Sequence, residues 1–292
     1  MSYTCLIVNL LSGNGKPKKI LPDIESYLQK HQILYRIEYT RYKGHATDLA
    51  KECKKDPNIH LMIAIGGDGT LHEVINGLYP SDLPVGFIPA GSGNDFAKEM
   101  GLEKDPIRVL EKILRMEKKQ IDIGKVNDRY FINVASIGFD GLVARIANQS
   151  KFKRLFGKLV YVYGVIRAIA FFRPQQIEMT VDGQVYSFQK IWLIAFGNHR
   201  YYGGGMAICP QAKNDDGQFD ICVIKDLSHF KLLSLFPTIF FGKHVHFSEV
   251  KVIKGEKIEL KLKNQMVLQM DGEIFDAKMI HVEIIKKGLT IV

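Results

Sequence analysis

The sequence is poor in cysteine and has no long uninterrupted apolar run. Its four cysteines form no CxxC pair and no zinc-type spacing, which disfavours a disulfide framework and predicts reduced thiols in a cytoplasmic protein. The most apolar long stretch, residues 152–172, contains four lysines or arginines, whereas a membrane span needs about 20 consecutive apolar residues. Met1 leads directly into a strand-like segment, and no signal peptide is visible. Any membrane contact is therefore expected to be peripheral.

Two common nucleotide-binding motifs are also missing. The stretch from Gly13 to Lys16 lacks the spacing of a Walker A loop. Nothing after the first predicted strand matches GxGxxG with an acid about 20 residues later. A P-loop ATPase and a Rossmann dehydrogenase are therefore disfavoured.

The charge of the chain lies mainly in its second half. The formal net charge is +9, and residues 126–292 carry +7 of it. Such a balance suits an anionic membrane surface or nucleic acid, although an ordinary solubilising charge explains it equally well. With 292 residues and 46% hydrophobic content, the chain is long enough for two domains.

The most informative stretch is IHLMIAIGGDGTLHEVING, residues 59–77. Its apolar run predicts a buried strand that ends in a tight glycine turn. Thr70 and Glu73 have the spacing of a capping box, which predicts a helix from Thr70 to about Gly77. Backbone N–H groups at such a turn and helix N-terminus favour phosphate. Since the Asp68 carboxylate would repel a phosphate unless a cation lay between them, we expect a nucleotide site that works with Mg²⁺.

Strands and helices alternate through the first part of the chain. Helices are predicted at 17–30, 46–55, 70–77, 96–100 and 107–119. This alternation predicts an α/β fold with a doubly wound parallel sheet, whose strand-to-helix loops meet at one edge. The loops at 10–15, 40–45, 66–70 and 90–95 are therefore expected to converge.

The pattern changes near residue 125 to short strand candidates joined by turns, including the hairpin turn Asp182-Gly183. We predict an ATP-binding α/β domain over residues 1–124 and an antiparallel β-sandwich lipid-binding domain over residues 125–285. The C-terminal segment 286–292 is a candidate to return to the first domain.

Five motifs carry a resemblance to a known family. They are GGDGT at 66–70, PAGSGNDFA at 89–97, GFDG at 138–141, a YGGG…DDG stretch at 202–217 and DGE at 271–273. In order and spacing the chain resembles the bacterial diacylglycerol kinases, a family of soluble lipid kinases. GGDGT alone is less specific, because NAD kinases and phosphofructokinases carry close relatives of it.

The resemblance implies that the first domain binds ATP and that the lipid enters the cleft beneath the β-sandwich. The nucleotide contacts that it implies are Asn9, Leu10, Leu11, Ser12, Gly13, Thr40, Gly66, Gly67, Asp68, Gly69, Thr70, Leu71, His72 and Ser92. Glycines let the backbone approach phosphates closely, and small hydroxyls donate hydrogen bonds. The glycines could instead serve only to form tight turns between strands and helices. That alternative does not explain the presence of Asp68.

The family resemblance also implies the catalytic groups. Asp68, Asp95 and Asp122 are the expected holders of the catalytic Mg²⁺, and each could instead be a solvated cap. Glu273 matches the position of the general base that takes the proton of the lipid hydroxyl. Asp68 and Asp271 are the alternative bases, and a simple DG turn is the alternative interpretation of the motif.

Two further sites follow from the resemblance and from charge. A structural Mg²⁺ is expected in the loop 212–218, held by the Asp216 carboxylate and by main-chain carbonyls of Lys213 and Gln218; an ordinary acidic turn is the alternative. The basic, aromatic segment 151–173 contains no acid, which favours a peripheral face for an anionic membrane over packing onto the sandwich. A homodimer is left open, and no nucleic-acid module is recognised.

The resulting expectation is an ATP- and Mg²⁺-dependent kinase that phosphorylates a lipid hydroxyl, with diacylglycerol as the first candidate. The alternatives are a small-molecule kinase of the NAD kinase type and a lipid- or nucleotide-binding protein without turnover. The sequence leaves the lipid acceptor open, since an apolar groove reads chain length poorly at about 0.8 kcal/mol per methylene.

Overall fold

The first part of the chain forms a parallel sheet with helices on both faces. The computed structural model describes residues 2–149, 164, 167–169 and 171–292. The strands of this part are β1 (Tyr3–Val8), β2 (Tyr35–Tyr39), β3 (Ile59–Gly66) and β4 (Val85–Pro89). Its helices are α1 (Lys16–Lys30), α2 (His45–Cys53), α3 (Asp68–Leu78), α4 (Asp95–Glu99) and α5 (Pro106–Leu114). The strands lie parallel in the order β2-β1-β3-β4, which confirms the predicted doubly wound sheet.

Alternating side chains of β1 enter the two cores that flank this sheet. Leu6 and Val8 pack with α1 and α5, whereas Cys5 and Ile7 pack with α2 and α3. Successive strand residues point to opposite faces, so a strand that is covered on both sides must be apolar throughout. This explains the continuous apolar runs of the sequence.

Two helix boundaries differ from the prediction. Helix α5 ends at Leu114 instead of Lys119, because Met116 has a left-handed φ of +56° and stops the helix. Helix α3 begins at Asp68, and the expected capping box is wrong. The Glu73 carboxylate instead accepts hydrogen bonds from the N–H groups of Gly44 and Ala46, at 2.9 and 3.1 Å, and so caps the start of α2.

The second part of the chain is mostly antiparallel β-structure, as predicted. Its strands are β5 (Lys119–Val126), β6 (Arg129–Phe131), β7 (Val134–Gly138), β8 (Gln175–Val181), β9 (Gln184–Gly197), β10 (Phe219–Lys225), β11 (Val250–Gly255), β12 (Lys257–Met270) and β13 (Glu273–Ile291). Its helices in the described residues are α6 (Phe139–Gln149) and α7 (His229–Ile239). Asp182 and Gly183 join β8 to β9 with positive φ values of 47° and 83°, as a type I′ hairpin turn requires.

Strand β13 runs from the β-rich part into the parallel sheet. It pairs along its length with β12 and β5, and Ile291 at its end pairs with Val85 of β4. Leu289 and Ile291 pack in the core of the parallel sheet. The division predicted between residues 124 and 125 falls inside β5, so both parts share one hydrogen-bonded network of strands.

All four cysteines are free and buried. Among the described residues, no helix has the length and apolar character needed to cross a bilayer.

Candidate active site

A cavity of about 320 Å³ lies where the parallel strands end. Several of the predicted nucleotide contacts line it: Asn9, Leu11, Ser12, Thr40, Gly67, Gly69 and Thr70. These residues follow β1, β2 and β3, whose carboxyl ends meet at one edge. The connections of β1 and β3 leave in opposite directions, so the cavity lies at the topological switch point, where open α/β sheets bind ligands.

Thr70 holds two of the converging loops together. Its Oγ1 accepts a hydrogen bond from Asn9 Nδ2 at 3.3 Å and lies 3.5 Å from Ser12 Oγ. Thr70 is in the first turn of α3, where unpaired N–H groups and the helix dipole favour an anion. The side chains and the helix start therefore form one polar wall suited to phosphate groups.

The glycines of these loops make direct backbone contact with one another. Gly13 has a φ of +52°, and a β-carbon added there would lie 2.2 Å from the carbonyl oxygen of Ala90. A β-carbon on Gly91 would lie 2.5 Å from the Gly67 Cα. No other residue fits such spacing, so the loops after β1, β3 and β4 pack together only because these positions are glycine.

Seven predicted nucleotide contacts do not line the cavity and stay predictions: Leu10, Gly13, Gly66, Asp68, Leu71, His72 and Ser92. Leu10 packs against the core beside α1, while Leu71 and His72 are buried. Ser92 is exposed on the loop before α4. The motif alone does not separate residues that pack the loop from residues that contact the phosphate.

Asp68 and Asp95 form an acidic pair beside this wall. A β-carbon added at Gly93 would lie 3.4 Å from Asp68 Oδ2 and 3.7 Å from Asp95 Oδ2, so both carboxylates face this position. Burial raises the pKa of Asp68 to about 6; a hydrogen bond from the Phe96 N–H opposes this, and the nearby Asp95 charge adds to it. Burial likewise raises the pKa of Asp95. Two carboxylates so placed gain most when a cation lies between them.

The free oxygens of this pair fit a divalent cation. Asp95 Oδ2 accepts a hydrogen bond from the Gly204 N–H at 2.8 Å, and Asp68 Oδ1 accepts one from the Phe96 N–H at 3.0 Å. Asp95 Oδ1 is buried and has no hydrogen-bond partner among the described residues. Mg²⁺ is commonly held by one or two carboxylates together with waters and substrate phosphates, and this pair supplies such ligands.

Asp271 fixes the turn that precedes Glu273. Asp271 and Gly272 connect β12 to β13 with φ values of 47° and 91°. The Asp271 side chain has no exposed surface, and its carboxylate accepts hydrogen bonds from three backbone N–H groups and pairs with His72 Nδ1 at 3.1 Å. Although burial raises its pKa, the bonds from His72 and the amides outweigh burial and lower it overall. With its oxygens so engaged, Asp271 positions the turn, and its role as an alternative base stays a prediction.

Glu273 lines the same cavity as the phosphate wall. Its carboxylate lines the same cavity as Gly67, Gly69 and Thr70, and its Oε2 lies 2.5 Å from Lys43 Nζ. The His72–Asp271 contact ties the turn to α3, so the position of Glu273 follows from that of the phosphate-binding helix. A residue distant in sequence is thereby held at the same cavity as the glycine loops.

The sequence prediction missed four residues of the cavity: Arg41, Tyr42, Lys43 and Glu73. The first three follow β2 in the loop that was expected to converge with the others. Arg41 and Lys43 are two cations in one short loop at the predicted edge, and this charge could have indicated an anion-binding role. Glu73 could not be assigned, because its spacing matched a capping box for the wrong helix.

Comparison with known proteins agrees with this geometry. Residues 4–126 match the sequence model of the diacylglycerol kinase catalytic domain, and residues 133–292 match that of the YegS C-terminal NAD kinase beta sandwich-like domain. The chain belongs to the diacylglycerol kinase family. This lipid kinase is 32% identical over 290 residues to "Putative lipid kinase YtlR" of Bacillus subtilis, covering 94% of each chain.

Two more relatives place the lipid kinase in the same family. It is 32% identical over 261 residues to a diacylglycerol kinase of Mycobacterium tuberculosis, with 87% of this chain and 84% of that protein covered. A crystal structure titled a putative diacylglycerol kinase from Bacillus anthracis superposes with a TM-score of 0.79 at 27% identity, covering 100% of this chain and 96% of that one. Family membership favours a lipid kinase over a small-molecule kinase of the NAD kinase type and over a protein without turnover.

Asp122 is not part of the acidic pair, and its role as a catalytic Mg²⁺ ligand stays a prediction. It lies inside β5, where its carboxylate oxygens accept hydrogen bonds from the N–H groups of Gly217 and Lys287, at 2.8 and 2.7 Å. Within residues 2–149, 164, 167–169 and 171–292, no three acids, histidines or cysteines cluster as a metal site. Asp122 of the lipid kinase instead joins the loop before β10 to the end of β13.

A lysine contacts the predicted structural Mg²⁺ site around Asp216. Lys254 Nζ of β11 lies 2.9 Å from Asp216 Oδ2 and 3.5 Å from Asp220 Oδ1. The Gln218 N–H, rather than its carbonyl, faces Asp216, at 3.2 Å from Oδ1. An ion pair closes this loop, and the Lys254 ammonium would have to move before a divalent cation could bind, so the set of Lys213, Asp216 and Gln218 stays a prediction.

His199 is the buried centre of the junction between the two parts of the chain. Its Nδ1 lies 3.0 Å from Asn133 Oδ1 and its Nε2 lies 3.1 Å from Asn214 Nδ2. The first contact requires a proton on Nδ1 and the second requires a free lone pair on Nε2, so the ring is neutral. Burial lowers the pKa of His199 to about 3.

We expect this histidine to destabilise the folded state in acid. The unfolded ring takes up a proton near pH 6.5, whereas the folded ring stays neutral down to about pH 3. The contribution of the neutral ring to the free energy of unfolding is therefore fully present above pH 6.5. It falls towards pH 3 by about 1.4 kcal/mol per pH unit, so about 2 kcal/mol is lost at pH 5. Urea denaturation at pH 7 and pH 5 measures it. His199→Gln should flatten this slope, while His246→Gln, at an exposed position, should keep it; equal slopes in all three proteins would contradict the assignment.

The basic segment 151–173 that was predicted as a membrane face lies largely outside the described residues. The described part includes Arg167, whose guanidinium lies 5.2 Å from the Phe171 ring, and Phe172, which is buried against Trp192.

Proposed function

We propose that this lipid kinase transfers the γ-phosphoryl group of ATP to the hydroxyl of diacylglycerol and so forms phosphatidic acid. The observation that carries the proposal is that Glu273 lines one cavity together with the phosphate-binding glycines and Thr70. A carboxylate on one side and anion-binding backbone on the other are the groups that transfer of a phosphoryl group to an alcohol requires.

The nucleotide is expected to bind along the ends of β1, β2 and β3. Phosphate groups would accept hydrogen bonds from the start of α3 and from Ser12 and Thr70. Arg41 and Lys43 supply positive charge on the opposite wall. The negative charge of a triphosphate would draw Lys43 from Glu273, which leaves the carboxylate free to act.

Asp68 and Asp95 are the residues that would hold Mg²⁺. Bound there, the cation would neutralise charge on the phosphate oxygens. The burial that raises the pKa values of both acids favours a charged partner between them.

Glu273 is the proposed general base. As the lipid oxygen bonds to the γ-phosphorus, its proton passes to the Glu273 carboxylate, and the bond from that phosphorus to the leaving oxygen of ADP breaks. The turn that Asp271 fixes keeps the carboxylate in place, because the chain between them is only Gly272. Little reorganisation is then needed when the hydroxyl arrives.

Diacylglycerol is favoured as acceptor because the Mycobacterium tuberculosis relative is named a diacylglycerol kinase. The test incubates the purified protein with γ-labelled ATP, Mg²⁺ and detergent-dispersed diacylglycerol, a polyprenol or a sphingoid base. We expect label in phosphatidic acid. Label only in another lipid would replace the acceptor, and label in no lipid would overturn the proposed function.

A further inference from the structure

Helix α7 carries apolar side chains on both its buried and its exposed face. Leu232, Leu235 and Ile239 are buried against the β-sandwich. The opposite stripe contains Phe230 and Leu233 of α7 and continues into Phe240 and Phe241 just after the helix ends; Phe230 and Phe241 are 85% and 76% exposed. Surface helices normally place polar residues on the outer side. An exposed aromatic stripe of this kind marks a surface that meets another apolar phase.

The charge around this stripe is of one sign. Between Asp226 and Glu249 the chain has no acidic residue, and it includes Lys231 and Lys243. Both lysines are exposed, and Lys231 also pairs with Glu249. Basic residues beside phenylalanines match the phosphate and acyl layers of an anionic bilayer. A second copy would instead bring like charges together at the same face.

The stripe continues towards the preceding aromatic segment. Trp192 contacts the ring of His229 at 5.3 Å and that of Phe172 at 5.5 Å, and it joins the start of α7 to that segment. Phe171 next to it is 63% exposed. The exposed Phe171 and Phe230 are therefore each next in sequence to a residue that contacts the buried Trp192.

The other end of α7 reaches towards the acidic pair. The Ala207 N–H donates to the Ile239 carbonyl at 3.0 Å. A few residues earlier in the same loop, the Gly204 N–H donates to Asp95 at 2.8 Å. A bilayer that covers α7 would therefore lie beside the loop that contacts a proposed metal ligand, where a lipid acceptor is needed.

We propose that the stripe of Phe230, Leu233, Phe240 and Phe241 on and just after α7 docks the enzyme onto an anionic bilayer, with Lys231 and Lys243 at the lipid phosphates. The proposal rests on the proposed function, because it takes the acceptor to be a bilayer lipid. The aromatic rings enter the acyl boundary, and the lysines contact the headgroups.

Co-sedimentation with vesicles tests the docking without turnover. The double variant Phe230→Ser/Phe241→Ser should bind vesicles of phosphatidylcholine and phosphatidylglycerol at least about tenfold more weakly than the unmodified protein, because two apolar anchors are lost. The matched control is Leu34→Ser/Met279→Ser, at positions that are 52% and 57% exposed elsewhere on the surface. The control should bind vesicles like the unmodified protein. Both variants and the unmodified protein should unfold at the same temperature. If the first variant misfolds, Leu233→Ser/Phe240→Ser replaces it.

Equal vesicle binding by the stripe variant and the control would overturn the proposal. The proposal would also be overturned if the stripe variant lost a dimer in sedimentation velocity but still bound vesicles. That result would assign the face to a second copy of the chain. Phosphorylation of a monomeric short-chain diacylglycerol should be unchanged in the stripe variant, whereas phosphorylation of vesicle diacylglycerol should fall with binding. If neither the unmodified enzyme nor the variants phosphorylate either lipid, the proposed function fails. The vesicle-binding measurement still tests the proposed docking surface in that case.

Discussion

Glu273→Gln is expected to lower kcat for lipid phosphorylation by about 10²–10⁴-fold, the usual contribution of a positioned general base. The amide keeps the size and hydrogen-bonding capacity of the side chain but cannot accept the proton of the lipid hydroxyl. ATP binding should be retained, because Glu273 is not a proposed nucleotide contact and the loss of its charge leaves Lys43 free to pair with the triphosphate. Steady-state kinetics and equilibrium binding of ATP measure the two quantities separately.

The matched control for this variant is Glu283→Gln. Glu283 is on the same strand, β13, and also pairs with a lysine, Lys125, at 2.9 Å. It does not line the cavity, so its kcat should be unchanged. If both variants retained normal turnover, Glu273 would not be the base; if both lost it equally, the loss would come from the strand rather than from proton transfer.

Asp68→Asn is expected to reduce turnover by on the order of 10²–10³-fold, comparable to the removal of one preorganised electrostatic contact in a catalytic site. The variant removes one of the two carboxylates that face the proposed Mg²⁺ position. Because the remaining acid binds the cation more weakly, higher Mg²⁺ concentrations should restore part of the activity. Titration of turnover with Mg²⁺ measures this shift.

Asp122→Asn distinguishes the two views of the metal site. Its carboxylate accepts bonds from two backbone N–H groups away from the acidic pair, so its substitution should lower thermal stability and leave the Mg²⁺ dependence of turnover unchanged. A shifted Mg²⁺ dependence in Asp122→Asn would return this residue to the metal site. An unshifted one in Asp68→Asn would remove Asp68 from it.

The sequence was most informative about the parallel sheet and its glycine loops. A continuous apolar strand followed by glycines and a helix has few structural solutions, so the edge where Asn9, Gly67 and Thr70 meet could be predicted. Glu273 was reached only through the family motif, because a turn in a distant hairpin carries no local sign of the cavity that it faces.

The limits of the sequence prediction have a common physical cause. The spacing of Thr70 and Glu73 satisfied a local rule, but a tertiary contact with Gly44 and Ala46 uses the glutamate elsewhere. Asp122 and Asp216 likewise have suitable chemistry, and their partners, the N–H of Lys287 and the ammonium of Lys254, come from strands far along the chain. Residue type predicts what a side chain can bind, whereas the fold decides which partner reaches it.

Strand β13 begins with the proposed base and ends in the core behind the nucleotide loops. Its pairing with β12, β5 and β4 joins the two parts of the chain, and the register against β5 shifts between Ile285 and Leu289. The two walls of the cleft cannot swing apart as independent bodies without bending this strand or breaking its ladder. Folding of this one strand therefore sets the starting distance between the Glu273 carboxylate and the glycine loops, and any relative movement of the two walls must bend β13.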